Sequence, residues 1–344
     1  MCGIAGYVDF KKQTSDTVLW EMTNALIHRG PDDAGAELFD CSNALVGLGQ
    51  RRLSILDLSP LGHQPMHFED LVVDFNGEIY NFKEIRQELE EKGYSFISGS
   101  DTEVILKGYH CWGLDVIQKF IGMFAIGLLD KKNSTFYLIR DRAGVKPLYY
   151  FHSNDILLFG SELKALYKHP RFVKDIDKNA LALYLQFSYI PTPYTIFRNT
   201  WKLTPGHYLK IDLKNGDTTT HKYWDVFDYY NKPKINISDE EAISETDRIL
   251  KNAYEYRMVA DVPVGVFLSG GYDSSSVAAL LQTGRTEKLK TFTIGFHENE
   301  FNEAPEAKKI AEYLGTDHTE WYLTAKEAGE VLPLLPDIYD EPFA

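Results

Sequence analysis

The sequence has few cysteines, an excess of acidic over basic residues and no long apolar run. Its three cysteines, Cys2, Cys41 and Cys111, are odd in number and widely spaced, a pattern that fits neither a disulfide framework nor a zinc site. The 50 acidic and 36 basic residues give a net charge of −14, which disfavours nucleic acid and anionic membranes as partners. Because the N-terminus lacks a basic and then apolar secretion signal, we expect a cytoplasmic protein that does not act at a membrane.

The most informative residue that is present is Cys2, directly after the initiating Met1. Removal of Met1 would leave a thiol and a free α-amine on one residue. The amine titrates at about 7.7–8.0 and the thiol at about 8.5, so the amine can accept the thiol proton near neutral pH. A lone N-terminal cysteine is more often a small buried residue at the start of a strand, so the nucleophile interpretation depends on motifs downstream.

The chain of 344 residues is long enough for two hydrophobic cores. Up to residue 170, short apolar strands such as 136–140 alternate with polar turns, which predicts packed β-sheet. Helices are predicted over 82–92 and directly after Asp101. We therefore expect a first domain over residues 1–190.

Residues 191–237 are predicted to form a connector that contains a hairpin turning at Asn215-Gly216. Ser238 and Glu241 form a capping box that opens a helix, and after it strands alternate with helices. This alternation predicts an α/β domain over 238–344. Its strands are predicted at 262–268, 289–296 and 318–323, and its helices at 274–283 and 303–314.

A glycine- and serine-rich segment, 269–275, lies between the first strand and the first helix of this second domain. Gly270 and Gly271 would let the backbone turn and approach a ligand, and the helix N-terminus would direct N–H groups at an anion. The segment lacks the lysine of a Walker loop and does not match a dinucleotide fingerprint. We predict a phosphate site, the alternative being a plain turn in which Asp273 or Ser274 caps the helix.

These two motifs carry a family resemblance. Residues 2–6, Cys-Gly-Ile-Ala-Gly, resemble class II glutamine amidotransferases, and residues 269–274, Ser-Gly-Gly-Tyr-Asp-Ser, resemble the pyrophosphate loop of ATP pyrophosphatases. Joined in this order, they resemble glutamine-hydrolysing asparagine synthetases. The resemblance covers nearly the whole chain through further matching blocks at 28–33, 51–55, 75–81, 100–103 and 140–149.

The resemblance implies an α+β N-terminal-nucleophile hydrolase domain with αββα layers, followed by an α/β parallel-sheet domain of the ATP pyrophosphatase type. Cys2 would hydrolyse glutamine to glutamate and ammonia. The ammonia would pass internally and attack the acyl-adenylate of a carboxylate acceptor, for which aspartate is our first expectation. The implied partners are thus small molecules, namely glutamine, ATP and the acceptor, while a homodimer is left open.

The resemblance also implies roles for residues of the first domain. The Asn76 amide and the Gly77 N–H would stabilise the negative oxygen that forms when Cys2 attacks. Because glutamine is a zwitterion, Arg52 would hold its carboxylate and Asp101 its amine. An isolated Asn-Gly pair would instead indicate a hairpin turn. The full set implied to bind glutamine is Arg52, Leu53, Ser54, Ile55, Leu56, Asn76, Gly77, Glu78 and Asp101.

In the second domain, Asp273 is implied to hold Mg²⁺ because carboxylate oxygens suit a hard divalent cation. Leu268 and Ile294 are expected at the C-terminal ends of adjacent strands, where open α/β sheets bind ligands, with ordinary sheet core as the alternative. The full set implied to bind ATP is Leu268, Ser269, Gly270, Gly271, Asp273, Ser274, Ser275 and Ile294.

Two features depart from the family pattern. The chain stops at 340–344, within the family's synthetase domain, so a fragment and a truncated product are both open. Tyr272 stands where leucine is common. Paralogues that amidate sugar carboxylates in surface-polysaccharide assembly share the motif order, so that acceptor is one alternative. A glutaminase with an inert second half and a non-catalytic scaffold are the others.

Overall fold

Alternating apolar residues form two six-stranded antiparallel sheets in the first part of the chain. The computed structural model describes residues 2–298, 300 and 302–343, so the expected removal of Met1 lies outside the described residues. The first sheet contains β1 (Gly3–Asp9), β2 (Asp33–Cys41), β3 (Ala44–Arg52), β8 (Tyr149–Ser153), β9 (Ile156–Gly160) and β10 (Thr200–Lys202). The second contains β4 (Met66–Phe68), β5 (Leu71–Ile79), β6 (Gly122–Asp130), β7 (Thr135–Arg140), β11 (His207–Asp212) and β12 (Thr218–Lys222). Their spatial orders are β10-β8-β9-β1-β3-β2 and β12-β11-β7-β6-β5-β4.

Helices cover the outer face of each sheet. On the first sheet lie α1 (Asp16–Asn24) and α5 (Leu163–Tyr167), and on the second lie α2 (Phe82–Glu91) and α3 (Asp101–Trp112). This is the predicted αββα arrangement, and both predicted helices are confirmed. The remaining helices of this part are α4 (Val116–Lys119), α6 (Lys178–Phe187) and α7 (Val226–Tyr230).

The strand β1 shows how the layers are held together. Its side chains alternate between two faces, because successive residues of a strand point to opposite sides. Ile4 and Val8 lie in the apolar cluster between the two sheets, whereas Ala5 and Tyr7 lie in the cluster beneath α1 and α5. All four are fully buried. Cys2 directly precedes this central strand, so the packing on both faces of β1 fixes the position of the predicted nucleophile.

The second part of the chain is a parallel three-stranded sheet with helices. The strand order is β13 (Gly265–Phe267), β14 (Lys290–Phe296) and β15 (Asp317–Leu323). The helices are α8 (Asp239–Tyr256), α9 (Tyr272–Gln282), α10 (Ala304–Leu314), α11 (Ala325–Val331) and α12 (Leu335–Ile338). The Ser238–Glu241 capping box is present at the start of α8, and the predicted α/β pattern is confirmed. The first strand is shorter than predicted, since Pro263 has no N–H for sheet pairing.

The chain divides into two compact units. One unit contains the chain up to Lys232 together with the residues from Tyr339 onward, and the other contains Pro233–Ile338. This differs from the predicted connector over 191–237, because strands β10 to β12 in that range pair with β8 and β7 of the first unit. The hairpin itself is confirmed, with Gly216 at a φ of +83°. Every helix in the described part of the chain is too short or too polar to cross a bilayer.

Candidate functional site

Cys2 is held against the loop that follows β3. Its Sγ lies 3.4 Å from the Leu53 N–H donor and 3.5 Å from the Leu53 carbonyl, which accepts from the thiol. The Arg29 Nε donates to the Cys2 carbonyl at 2.9 Å. Burial raises the pKa of the Cys2 thiol, while the Leu53 contact opposes that rise. The thiol is therefore oriented, and it needs a proton acceptor before it can attack.

Arg52 ends β3 and is buried, with its guanidinium directed at backbone carbonyls. It donates to the carbonyls of Leu56 at 3.0 Å, Asp57 at 2.5 Å and Ser59 at 3.2 Å. Glycine at position 62 leaves room for the guanidinium, because a Cβ on residue 62 would lie 1.9 Å from an Arg52 nitrogen. These carbonyls orient the guanidinium without carrying a full negative charge themselves.

The Asn76-Gly77 pair lies inside strand β5, which excludes the hairpin-turn alternative. The Asn76 Nδ2 donates to the Ser161 Oγ at 3.3 Å, and that oxygen also accepts from the Ile4 N–H at 3.0 Å. A Cβ at Gly77 would lie 2.2 Å from the Met123 carbonyl of β6. Glycine is thus required here by the close approach of the neighbouring strand.

Two neighbouring carboxyl groups, those of the partly buried Glu78 and the buried Asp101, influence each other, and Arg52 acts on Glu78. The Ile79 N–H donates to the Asp101 Oδ2 at 2.8 Å, and Asp101 is the first residue of α3. Burial, and next the negative charge of Asp101, raises the pKa of Glu78, while Lys146 and Arg52 oppose the rise. Burial likewise raises the pKa of Asp101. A bound ammonium group would lower both pKa values by compensating these charges, so the pair suits the α-amine of an amino acid.

Lys146 is a pocket residue that no sequence pattern assigned. It is 3% exposed, and burial lowers its pKa while the charge of Glu78 opposes that change. Asp141 accepts from the Lys146 N–H at 2.9 Å, and Arg140 donates to the Lys146 carbonyl at 2.9 Å. Lys146 lies within the block 140–149 that resembles the family, and this match is the sequence feature that could have drawn attention to it. Ser161 was also missed, and a lone serine after a strand carries no such signal.

The remaining predicted glutamine residues form the loop after β3. The Ser54 N–H donates to the Asp32 Oδ2 at 2.8 Å, and Leu56 is buried with its carbonyl on Arg52. Leu53 and Ile55 are partly buried. The loop thus joins Cys2 to Arg52, and the mutual pKa effects of Cys2, Glu78, Lys146 and Arg52 put the predicted charges within one pocket. A thiol, a guanidinium and two carboxyl groups are thus brought together, which is the set of groups that the predicted glutamine site requires.

The glycine- and serine-rich loop of the second unit is ordered by its hydroxyls. The Ser269 Oγ and Ser274 Oγ lie 2.8 Å apart, and Ser274 Oγ accepts from the Ser269 N–H at 3.0 Å. The Ser275 Oγ donates to the Gly271 carbonyl at 2.7 Å. Gly271 occupies the N-cap of α9, and no side chain caps this helix. The alternative in which Asp273 or Ser274 caps the helix is therefore not seen, and the first N–H groups of α9 stay open to an anion.

The two loop glycines differ from their expected role. Gly271 has a φ of −82°, and Gly270 is not among the residues with positive φ. A Cβ at Gly271 would meet only the Ser269 Oγ at 3.4 Å. The backbone turn therefore does not need glycine for conformational reasons. Glycine instead leaves the loop without side chains that would cover the helix N-terminus.

Leu268 directly follows β13 and Ile294 lies on the adjacent strand β14, but the burial of their side chains differs. Leu268 is buried in the apolar cluster of this unit, so its side chain is sheet core and only its backbone faces the loop. Ile294 is 54% exposed. Ile294 can therefore offer an apolar surface to a ligand, whereas Leu268 can contribute only main-chain atoms.

Asp273 lies in the first turn of α9 and is exposed. Among the described residues, no group of three or more His, Cys, Asp or Glu side chains could hold a metal ion. Asp273 would thus share a cation with phosphate oxygens rather than with a protein cage, which is the usual way that Mg²⁺ is held beside a nucleotide. One exposed carboxylate beside a phosphate-binding loop fits that arrangement.

Comparison with known proteins adds to this geometry. Residues 1–224 match the family model of the glutamine amidotransferase domain, and residues 245–344 match that of asparagine synthase. The whole chain aligns at 38% identity with a Methanocaldococcus jannaschii protein provisionally named glutamine-hydrolysing asparagine synthetase 2, and the alignment covers 69% of that protein. It also aligns over its whole length, at 36% identity, with glutamine-hydrolysing asparagine synthetase 1 from Bacillus subtilis, of which the alignment covers 54%. The chain belongs to the glutamine-hydrolysing asparagine synthetase family.

The chain spans only about half the length of most of these synthetase relatives, 54% and 55% for two from B. subtilis. Among solved structures, it resembles the B. subtilis glutamine phosphoribosylpyrophosphate amidotransferase in complex with ADP and GMP. That match has a TM-score of 0.50 and 14% identity, and it covers 95% of this chain and 91% of the other. At this identity it supports the N-terminal-nucleophile hydrolase fold alone. Because the chain matches both domain families, the first unit has the predicted N-terminal-nucleophile hydrolase fold and the second has the predicted α/β fold of the ATP pyrophosphatase type.

Proposed function

We propose that this protein is a glutamine- and ATP-dependent amidotransferase, an asparagine synthase that takes nitrogen from glutamine. The observation that carries the proposal is the position of the Cys2 thiol, on Leu53 in the pocket that holds Arg52, Glu78 and Asp101. The matches of both family models, in the same order along the chain, support it further. A cytoplasmic location and a homodimer stay predictions that accompany the proposal.

In the glutaminase step, removal of Met1 exposes the α-amine of Cys2, which accepts the thiol proton. The sulfur then attacks the side-chain amide carbon of glutamine. Arg52 holds the substrate carboxylate, and Asp101 with Glu78 holds its amine. Asn76 and the Gly77 N–H stabilise the negative oxygen that forms. The C–N bond breaks, ammonia leaves with the proton, and water hydrolyses the thioester to glutamate.

In the second step, the loop 269–275 binds the phosphates of ATP with its hydroxyls and the open N–H groups of α9. Asp273 would hold Mg²⁺ at this loop, where the ion would offset negative charge on the phosphates. The carboxylate acceptor becomes an acyl-adenylate with release of pyrophosphate, and ammonia displaces AMP. Aspartate is the acceptor that we propose.

The motif order equally fits amidation of a sugar carboxylate. A relative from Gibberella zeae, 34% identical over 92% of this chain, is named amidase chry2. Relatives at similar identity therefore carry different activity names, and identity alone does not select the acceptor. Ile294 and Trp321 are exposed apolar residues of the second unit, and neither side chain distinguishes an amino-acid carboxylate from a sugar carboxylate. A glutaminase without synthetase activity is a second alternative, and a non-catalytic scaffold is a third.

The test is to incubate the purified chain with glutamine and to measure glutamate. Pyrophosphate and amide products are then measured with MgATP and either aspartate or a uronic acid. Glutamate with aspartate-dependent pyrophosphate supports the full proposal, and glutamate without pyrophosphate supports the glutaminase alternative. The absence of glutamate from a folded chain with Cys2 at its N-terminus would refute the proposal. Cys111→Ala is the matched control, because Cys111 is also partly buried but lies outside the pocket.

A further inference from the structure

A chain of charged side chains leads from the C-terminal residues of the first unit to the nucleophile. The Asp340 Oδ2 accepts from the Lys164 N–H at 2.7 Å, and its Oδ1 lies 3.4 Å from the Lys164 Nζ. The same Nζ lies 2.5 Å from the Glu162 Oε2. The Glu162 Oε1 accepts from Arg29 at 2.7 Å, and Arg29 donates to the Cys2 carbonyl at 2.9 Å. Four successive residue pairs thus connect Asp340 to the backbone of Cys2.

The members of this network are mostly sheltered from water. The side chains of Asp340, Arg29, Glu162 and Lys164 are 7%, 10%, 17% and 18% exposed. Although burial opposes ionisation of Glu162, its contacts with Lys164 and Arg29 lower its pKa. Removal of one partner would leave another charge sheltered and only partly compensated, so we expect the network to respond as a unit.

Neighbouring contacts hold the same segment without reaching Cys2. The Tyr167 hydroxyl donates to the Asp340 carbonyl at 2.7 Å. Glu341 accepts from the Ile196 N–H at 3.1 Å and lies 2.5 Å from the Lys202 Nζ, with side-chain exposures of 13% and 14%. The Lys202–Glu341 pair is therefore a matched control, since its burial resembles that of the network while it makes no contact with Glu162 or Arg29.

We propose that Lys164 is a positioning residue for the nucleophile and that the docking of Asp340 on Lys164 sets the reactivity of Cys2. Lys164 holds Glu162 together with the exposed His28, whose Nε2 lies 2.9 Å from the same Glu162 Oε2. Glu162 in turn holds Arg29, and Arg29 holds the Cys2 carbonyl and so the direction of the thiol. None of these side chains contacts the thiol itself. The inference rests on the proposed glutaminase activity for its kinetic consequence, but not for its effect on the thiol.

The consequence for the thiol has a definite sign. In the intact protein, the Cys2 Sγ is held between the N–H and the carbonyl of Leu53 and is partly buried. Loss of the Arg29 anchor allows the thiol to leave this position, which opens it to small electrophiles and removes it from the geometry for attack on glutamine. The rate of alkylation therefore rises while kcat for glutamine falls, and the two rates move in opposite directions.

The experiment compares Lys164→Met and Asp340→Asn with Lys202→Met in the full chain. Alkylation by iodoacetamide is followed at Cys2 by peptide mass spectrometry, with Cys111 as an internal reference. We expect alkylation of Cys2 to rise roughly 3–10-fold in the first two variants, with kcat for glutamine lowered roughly 10–100-fold and KM little changed. Lys202→Met should resemble the wild type in both rates, and Lys164→Arg should restore both.

Unchanged alkylation of Cys2 in Lys164→Met and Asp340→Asn would overturn the proposal. Equal changes in Lys202→Met would also overturn it, because they would reflect loosening of the whole segment. If Lys164→Met does not fold, Asp340→Asn and Lys164→Arg decide, since both keep hydrogen-bonding groups in place. A wild-type chain that hydrolyses no glutamine refutes the proposed function alone, because alkylation of Cys2 is read without turnover.

Discussion

The two units of this protein bury their apolar residues to different extents. In the first unit, Val46 and Phe159 are fully buried between the sheets. In the second, Phe267 is 78% exposed and Ile294 is 54% exposed, although both belong to sheet strands. Along β14, every second residue is exposed. Parallel sheets are normally covered on both faces, so one face of this sheet lacks a cover among the described residues.

The comparison shows that the two candidate sites depend on packing in different ways. The candidate glutamine site contains carboxyl groups whose pKa values are raised by burial, and it depends on the packed sheets around it. The loop 269–275 instead offers hydroxyls and helix N–H groups at an exposed position. Substitutions in the first unit should therefore alter chemistry or stability sharply, and substitutions in the second should alter ligand contacts.

The largest expected effect separates the two sites by function. Cys2→Ala should lower glutamine hydrolysis by more than about 10³-fold, since no other group can form the thioester. Asp273→Asn should leave this rate unchanged, because it lies in the other unit. Glutamate release is measured for both, and Mg²⁺-dependent nucleotide binding is measured by calorimetry. Substantial glutaminase activity in Cys2→Ala would contradict the assignment of the nucleophile, and full Mg²⁺-dependent binding in Asp273→Asn would remove Asp273 from the metal site.

A second effect tests the difference in packing itself. Leu48→Ala, between the sheets, should lower the free energy of unfolding of the first unit by about 2–5 kcal/mol. Ile294→Ala, at an exposed strand position, should change that of the second unit by less than about 0.5 kcal/mol. Hydrogen exchange in denaturant, resolved by peptide, reports each unit separately. Equal losses would show that the face bearing Ile294 is covered in solution.

A third effect sharpens the assignment of roles within the rigid pocket. Asn76→Ala should lower kcat by about 10²–10³, the usual loss for one oxyanion donor, with little change in KM. Arg52→Lys should instead raise KM, since an ammonium cannot replace the planar fork on a carboxylate. Steady-state glutaminase kinetics separate the two. Ser161→Ala is the control, because it removes the partner of the Asn76 amide but keeps the amide. A raised KM in Asn76→Ala with unchanged KM in Arg52→Lys would reverse the roles.

The smallest effect concerns pH and the buried Asp74 of β5. Burial, and then the charge of Glu37, raises the pKa of Asp74 well above its usual value. The unfolded chain loses this proton near pH 3.9 and the folded chain keeps it, so the free energy of unfolding falls as pH rises above about 4. The slope is at most about 1.4 kcal/mol per pH unit. Asp74→Asn should remove this slope, as measured by urea unfolding at several pH values.

Asp9 provides the opposite case for comparison with Asp74. Although burial opposes its ionisation, hydrogen bonds from Gln13, Thr14 and Lys11 lower the pKa of Asp9. Its contribution to stability is therefore present above pH 4 and is lost as pH falls. Asp9→Asn should destabilise the protein at neutral pH and have less effect in acid.

For Asp74, the contradicting outcome is an identical pH slope in Asp74→Asn and the wild type. That result would show that Asp74 ionises normally in the folded chain.

Several features followed from local sequence because their physical causes are local. The Ser238–Glu241 capping box starts α8, and the turn at Asn215-Gly216 closes a hairpin, since both depend on groups a few residues apart. The change from β-rich to alternating patterns separated a β-rich unit from an α/β unit, whereas the αββα layers were implied by the family resemblance. The resemblance of several motifs in one order indicated the family, which the comparisons confirmed.

By itself, then, the sequence indicated a β-rich and an α/β unit through periodicity and caps, and it indicated the family, its two fold types and the nucleophile candidate through the resemblance of its motifs. Only the tertiary structure decided that Asn76-Gly77 is a strand rather than a turn, because that depends on pairing with β6. It also brought Lys146 and Ser161 to the pocket and linked Asp340 to Cys2. These contacts join residues far apart in the chain, and their energies arise from burial and long-range pairing, which local patterns do not encode.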